Sequence, residues 1–354
     1  MLPRDDPSAA SVTVFIHPGS LGDILQAKGA LVTASKDLRP GRVVLVTDAS
    51  LRGLAESWGM FDDIIGFDPA HAYHGSVRTR VRTLIGLVRA IRSTAPTAVC
   101  VLKPSPIYGF IALMSGGRTG GLTRGIGHLL IGANQGVRDH EHREDRYLRA
   151  VRTVCAAAAP DHADDLWPWT NGRGHSMVAG GGYVVLAPGG ARNVRGTMPE
   201  RRWPPIAYAM VGRAVLQASP TTRVVLIGGP DDAREAEDVM TELGRECVDL
   251  VGQTTVEEAR SIMGSAKLVV CHDSGPMHLA ASVGTPTVAI FGPTDPRVVC
   301  PRRPWVQWFW DPAQPGRPCH CEIDGSLRCT VQPCCIERVL PEAVLSAVLN
   351  AVEA

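Results

Sequence analysis

Residues 267–296 read KLVVCHDSGPMHLAASVGTPTVAIFGPTDP, and the rest of the chain is organised around them. Leu268, Val269 and Val270 form a short apolar run rich in β-branched residues, which predicts a buried strand. The polar turn His272-Asp273-Ser274-Gly275-Pro276 follows. Residues 277–283 are apolar and alanine-rich and predict a short helix, with Pro276 where it starts and Gly284 where it stops. Residues 287–291 predict a second strand, closed by Gly292-Pro293. Strand, helix, strand is the unit of a parallel sheet. In such a unit the helix turns its free N–H groups and its dipole toward the end of the strand, which makes an anion site. Ser274 and Gly275 bring backbone N–H groups close, Asp273 caps the helix or bonds a sugar hydroxyl, and His278 reaches a diphosphate. Taken alone, the turn is more simply a capped helix with a satisfied histidine; other segments decide between the two.

Working outward, 354 residues suit two domains of ordinary size. The composition is 45% hydrophobic with a net charge of +1, so large cores are affordable and nucleic-acid binding gains no support. No run of 18 apolar residues is present and the first residues lack a signal-peptide pattern, so the expected location is cytoplasmic.

Toward the N-terminus, residues 12–16 predict a strand, His17 to Asp23 a turn, and residues 24–35 a helix. Asp23 at this junction is an ordinary first-turn carboxylate or a general base at the mouth of a cleft. Strands are expected at 43–47, 63–67 and 98–102. An amphipathic helix at 77–93 carries Arg78, Arg80, Arg82, Arg89 and Arg92, which solvate one face or attract an acidic acceptor or anionic lipid heads. The glycines at 116–121 read as turns, the polar part of 132–147 as a loop over a cleft, and residues 141–155 as a helix. His140 and His142 flank Glu141 at a spacing that fits no zinc pattern.

The glycine-rich stretch 171–182 marks the expected boundary, giving a first domain over 1–175 and a second over 180–335. The second half repeats strand, turn and helix, with Gly189-Gly190, Gly228-Gly229 and the quoted turn at strand ends. Trp305, Trp308, Phe309 and Trp310 pack a core edge or stack on a flat ring, a core role being the simpler. Six of ten cysteines fall between Cys300 and Cys335. A helix at 341–352, within a final segment 336–354, is expected to pack back on the first domain.

Two doubly wound halves leave a cleft that both sets of strand ends face. Asp23 on one side and anion-binding turns with Arg201, Arg202 and Asp232 on the other suit group transfer from a nucleotide donor.

The segments PGSLGDILQ, LAPGG with RRWP, VLIGGPDD, the run LVGQTTVEEARSIMGSAKLVV with its continuation to Pro296, and the cysteine-rich tail resemble the glycosyltransferase family 9 heptosyltransferases. The resemblance covers most of the chain and is strongest over 250–296. It implies a GT-B fold, α/β with two Rossmann-like domains, and inverting transfer of a heptose from ADP-heptose to an acceptor hydroxyl, with lipopolysaccharide core as the acceptor and a peripheral place at the inner membrane face. Asp23 matches the family's base, and Arg201 stands where a lysine usually meets the donor phosphates, a change that is not neutral. Gly189, Gly190, Arg202, Asp232, Asp273, Ser274, Gly275, Met277 and His278 match donor-binding positions, and Ser20 and Gly22 acceptor-binding ones. No cofactor or metal is implied for the chemistry, since helix N-termini and a guanidinium carry the leaving charge. Cys319, Cys321, Cys329 and Cys334 bind a structural zinc or iron ion or stay free thiols; their spacing is not that of a zinc ribbon. Other nucleotide sugars, protein or small-molecule acceptors, and a non-catalytic nucleotide-sugar-binding protein remain alternatives. A Rossmann dehydrogenase or epimerase is disfavoured, because no G-x-G-x-x-G follows the first strand.

Overall fold

The computed structural model describes residues 11–156, 182–193, 196–244, 247–311, 318–321, 326–327 and 334–353. The chain divides into two compact units, Met1–His162 and Ala163–Ala354. The glycines at 171–181, expected to mark the boundary, lie outside the described residues.

The first unit runs β1 (Val12–His17), α1 (Leu21–Leu38), β2 (Arg42–Asp48), α2 (Arg52–Glu56), β3 (Asp63–Phe67), α3 (Pro69–Tyr73) and α4 (Val77–Arg92). It continues with β4 (Ala98–Val101), α5 (Pro106–Ser115), β5 (Arg118–Thr123), a 3-10 turn at Gly125–Leu129, β6 (Ala133–Gly136) and α6 (Arg143–Val151). Its six strands are parallel, in the order β3-β2-β1-β4-β5-β6. The central strands read as continuous apolar runs because both faces are covered. Val14, Ile16, Val44, Val46, Val99 and Val101 join α4 and α5 in one core through Leu87, Ile91, Tyr108 and Ile111. α1 packs against α6.

The second unit runs β7 (Tyr183–Ala187), a two-stranded ribbon of β8 (Arg192–Asn193) and β9 (Gly196–Thr197), α7 (Pro205–Ala218), β10 (Arg223–Leu226) and α8 (Ala233–Leu243). β11 (Cys247–Asp249), α9 (Val256–Ser265), β12 (Leu268–His272), α10 (Gly275–Ser282), β13 (Thr287–Ile290), α11 (Pro296–Val299), β14 (Val306–Phe309) and α12 (Pro341–Glu353) follow. Its parallel sheet has the order β11-β10-β7-β12-β13-β14. Counted within each unit, both sheets have the strand order 3-2-1-4-5-6. The order reverses between β1 and β4 in one, and between β7 and β12 in the other. Such switch points are where open α/β sheets bind ligands.

Three strands, β5 and the edge strands β6 and β14, depart from the sequence reading. The glycines read as turns include Gly120 and Gly121 inside β5. A Cβ on Gly120 would sit 2.2 Å from the Thr153 hydroxyl, and one on Gly121 2.1 Å from the Val101 carbonyl. Close approach of the strand to its neighbours, not a turn, requires glycine there. The polar segment 132–147, expected to begin as a loop, holds β6, while the helix expected over 141–155 is present as α6 (Arg143–Val151). The tryptophan cluster brackets β14, where Trp305 Nε1 donates to the Ala281 carbonyl and Trp310 Nε1 to that of Gly292. α12 covers its apolar face with α7, β12 and β13 of its own unit, where the expectation had been the first domain. Trp203 Nε1 donates to the Val339 carbonyl at 2.7 Å and Lys267 to that of Val352 at 2.7 Å, so the final segment is tied to that core at both ends.

Candidate functional site

At the second unit's switch point, β7 ends in Gly189-Gly190 and β12 in His272, Asp273 and Ser274. Gly190 has φ +98°, and a Cβ on Gly189 would lie 2.2 Å from the Asp232 carboxyl carbon. This closeness lets Asp232 accept from the Gly190 N–H at 2.8 Å and from the Gly229 N–H at 2.8 Å. Asp232 thus staples two strand-end turns together. Asp273 does the equivalent for a cation. It pairs with Arg201 Nη2 at 2.9 Å and accepts from the Thr294 hydroxyl at 2.6 Å. Arg201 also donates to the Asp273 carbonyl. Arg202 pairs with Glu235, and its Nε donates to the Gly190 carbonyl at 3.0 Å.

These contacts leave specific groups unmet. Arg201 Nε, Arg202 Nη2 and His272 Nε2 are buried and have no protein partner among the described residues. His272 Nδ1 lies 2.9 Å from the Tyr208 hydroxyl. Burial, then the nearby Arg201 charge, pushes the imidazole down to about 3, so it is neutral at neutral pH. Burial holds the Tyr208 phenol protonated. With that hydroxyl donating to Nδ1, the imidazole carries its proton on Nε2, beside the Gly190 turn. Three N–H donors therefore collect where the strands end. A buried donor without a partner costs about 1–3 kcal/mol, so an anion with several acceptor oxygens fits this place.

Other expected donor residues divide. Ser274 is the N-cap residue of α10, but its hydroxyl turns back to the His272 carbonyl at 3.2 Å. Gly275 opens the eight-residue helix. Asp273 does not cap it, and its carboxylate is occupied by Arg201 and Thr294. His278 is buried, and Met277 is fully enclosed in the core, so its side chain offers a ligand no surface.

At the first unit's switch point, α1 begins earlier than expected, so Asp23 lies inside its first turn. Its carboxylate accepts from the Ser20 N–H and hydroxyl, each at 3.2 Å, the returning half of a capping box. Lys103, just beyond β4, reaches it at 2.6 Å, and Arg143 at the start of α6 lies 3.7 Å away. Burial pushes this carboxyl up, but the Lys103 and Arg143 cations outweigh it and hold it well below the usual carboxylate range. Beneath it, His17 is fully buried with neither ring nitrogen hydrogen-bonded among the described residues. Burial brings His17 down to about 4. Gly22 is buried in α1 and Ser20 is exposed.

Cys319 and Cys334 are buried, and the Cys334 thiol lies 3.5 Å from the Glu200 carbonyl. Among the described residues no three histidine, cysteine or carboxylate groups gather as a metal site; Cys329 lies outside them.

Two parallel six-stranded sheets with turn sites at their switch points define a GT-B-type α/β protein. Solved structures agree on the fold. A family 9 glycosyltransferase from Veillonella parvula superposes with a TM-score of 0.76 at 18% identity, covering 97% of each chain. The ADP-heptose lipopolysaccharide heptosyltransferase II of E. coli gives 0.73 at 19%, covering 97% of this chain and all of that one. The model of glycosyltransferase family 9 (heptosyltransferase) matches residues 153–322. Lipooligosaccharide heptosyltransferase 2 of Haemophilus influenzae is 35% identical over 107 residues, which are 29% of this chain and 30% of that protein. The chain thus spans about three-tenths of the length of that curated relative. The residues matched by the family 9 model include the whole of the turn site on Arg201, Asp232 and Asp273.

Proposed function

We propose that the chain is an inverting glycosyltransferase that moves a heptose from ADP-heptose to an acceptor hydroxyl, with lipopolysaccharide core as the acceptor class. One observation carries the reading: Arg201 Nε, Arg202 Nη2 and His272 Nε2 are buried and, among the described residues, unmet at the switch point of the second sheet. A diphosphate supplies the acceptor oxygens these groups lack, and the amide end of α10 adds its dipole. The heptose and the adenine nucleotide are taken from the names of the similar proteins.

The chemistry is a single displacement. The acceptor oxygen attacks the anomeric carbon from the face opposite the diphosphate, the bond from that carbon to the diphosphate oxygen breaks, and the configuration inverts. The acceptor proton goes to the Asp23 carboxylate. The electron pair leaves with the diphosphate, whose added charge is met by Arg201, Arg202 and backbone N–H groups. Arg201 is pre-oriented by Asp273, so it meets the leaving group with little reorganisation. Asp23 is ionised when the acceptor arrives but weakly basic while Lys103 touches it. Lys103 turning toward an acidic acceptor restores the basicity that proton transfer needs.

Calorimetric titration with ADP checks the donor half. The wild-type chain should bind, and Arg201→Ala should bind at least tenfold more weakly, on the scale of one lost charge-assisted hydrogen bond. Equal affinity would remove Arg201 from the donor site.

A further inference from the structure

The first unit carries an exposed face that the transfer chemistry does not use. α4 has an apolar stripe wider than the core can cover. Leu87 and Ile91 are buried against the sheet. Val77, Val81 and Ile85 stand four residues apart on one line and are 77%, 49% and 46% exposed. The neighbouring helix α5 repeats this, with Phe110, Leu113 and Met114 at 48%, 50% and 43%. The 3-10 turn packed on α5 adds Ile126 and Leu129 at 69% and 87%. Eight of the twelve exposed large hydrophobic side chains of the described residues therefore fall on three adjoining elements.

Charge selects the partner. α4 carries five arginines, all exposed, and no acid. Arg78, Arg82 and Arg89 project beside the exposed apolar line, within a turn of it around the helix axis. Between Asp68 and Asp139 the sequence contains no Asp or Glu at all, in a chain whose net charge is only +1. A long helix with an apolar side and an adjacent cationic side suits the boundary between lipid tails and anionic headgroups. A nucleic acid would match the charge but leave the aliphatic line in water. No described helix is long and apolar enough to cross a membrane, so the contact is at the surface.

We infer that the face formed by α4, α5 and the turn at Gly125–Leu129 docks on an anionic lipid bilayer. The side chains on the first line enter the headgroup boundary, and the arginines beside them pair with lipid phosphates. This inference stands apart from the proposed transfer, since the face shares no residue with either switch-point site.

Sedimentation with lipid vesicles tests it, using the full chain without any sugar nucleotide. The wild-type chain should pellet with phosphatidylcholine vesicles containing phosphatidylglycerol and stay in solution with phosphatidylcholine alone. Raised salt should weaken binding as the charge is screened. Each basic residue near such a surface is worth on the order of a factor of five, so R78E/R82E/R89E should bind on the order of 100-fold more weakly. V77D/V81D/I85D should lose binding by a similar factor. Because all six positions are exposed, the far-ultraviolet spectrum and melting temperature of both variants should match wild type. Transfer to a soluble, lipid-free acceptor should also be unchanged, so failure here is distinguishable from failure of the transferase reading. The inference is overturned if wild type ignores anionic vesicles or if both variants bind them as wild type does. It is equally overturned if wild type forms a dimer that the aspartate variant abolishes while vesicle binding persists, which would make the face a protein interface.

Discussion

Asp23 is held by two cations, and this pairing makes its environment testable. With Lys103 at 2.6 Å and Arg143 at 3.7 Å, its carboxyl stays well below the usual range. Replacing Lys103 by methionine removes the nearer charge while burial remains, so the Asp23 pKa should rise. The acid limb of the kcat/KM profile should then move to higher pH; an unmoved limb would mean that Asp23 does not set it. His17 and His272 give a second prediction, on stability. Their folded values of about 4 and about 3 lie below the ordinary 6.5, so the unfolded chain binds more protons between these limits. Stability should therefore fall as pH drops through the window from 6.5 downward, by about 2 kcal/mol for each histidine at about pH 5. Denaturant midpoints should show this loss in wild type and about half of it in His272→Gln. Asp23, Arg201 and Asp273 were legible in the sequence because each sits beside a glycine turn or a Trp-Pro junction. Lys103, Arg143, Glu235 and His17 were not read as site residues, since partners brought in by other strands leave no local pattern. The one usable signal was position: Lys103 follows an apolar strand at its carboxyl end.

At the scale of elements, the turn after β7 is the most constrained piece of the candidate site. Gly189→Ala would drive a methyl group into the Asp232 carboxylate. The Asp232 staple to Gly190 and Gly229 would break, and the Gly190 turn would lose its φ +98° geometry. Thermal unfolding should show a loss of about 1–3 kcal/mol, with ADP affinity falling in parallel. Unchanged melting and affinity would show the turn to be more forgiving than its geometry. Central strands such as β1, β7 and β12 were legible because burial on both faces makes them uniformly apolar. β5, next to the edge of its sheet, and the edge strands β6 and β14 were not. β5 is glycine-rich for close approach, β6 reads ANQG with its first two residues exposed, and β14 reads VQWF with its two middle residues exposed. Short, polar or glycine-rich strands carry little apolar pattern, so periodicity does not reveal them, whereas the edge strand β3 kept enough to be read.

At the scale of the molecule, two sheets of identical strand order each place a polar constellation at the point where the order reverses. Asp23 with its two cations occupies one, and Arg201, Arg202 and His272, with groups unmet among the described residues, occupy the other. The doubly wound character of both halves was legible from repeated strand, turn and helix, whereas the packing of α12 on its own unit was not, because an amphipathic helix does not state which apolar surface it covers. The central claim is that one constellation holds the donor diphosphate and the other takes the acceptor proton. Mass spectrometry of a lipopolysaccharide-core acceptor, incubated with ADP-heptose and either wild type or Asp23→Asn, tests this most directly. The account predicts that wild type adds one heptosyl residue, and that Asp23→Asn still binds ADP but transfers at least a hundredfold more slowly, the usual scale of a general base. An acceptor left unchanged by wild type, or modified equally fast by Asp23→Asn, would contradict it.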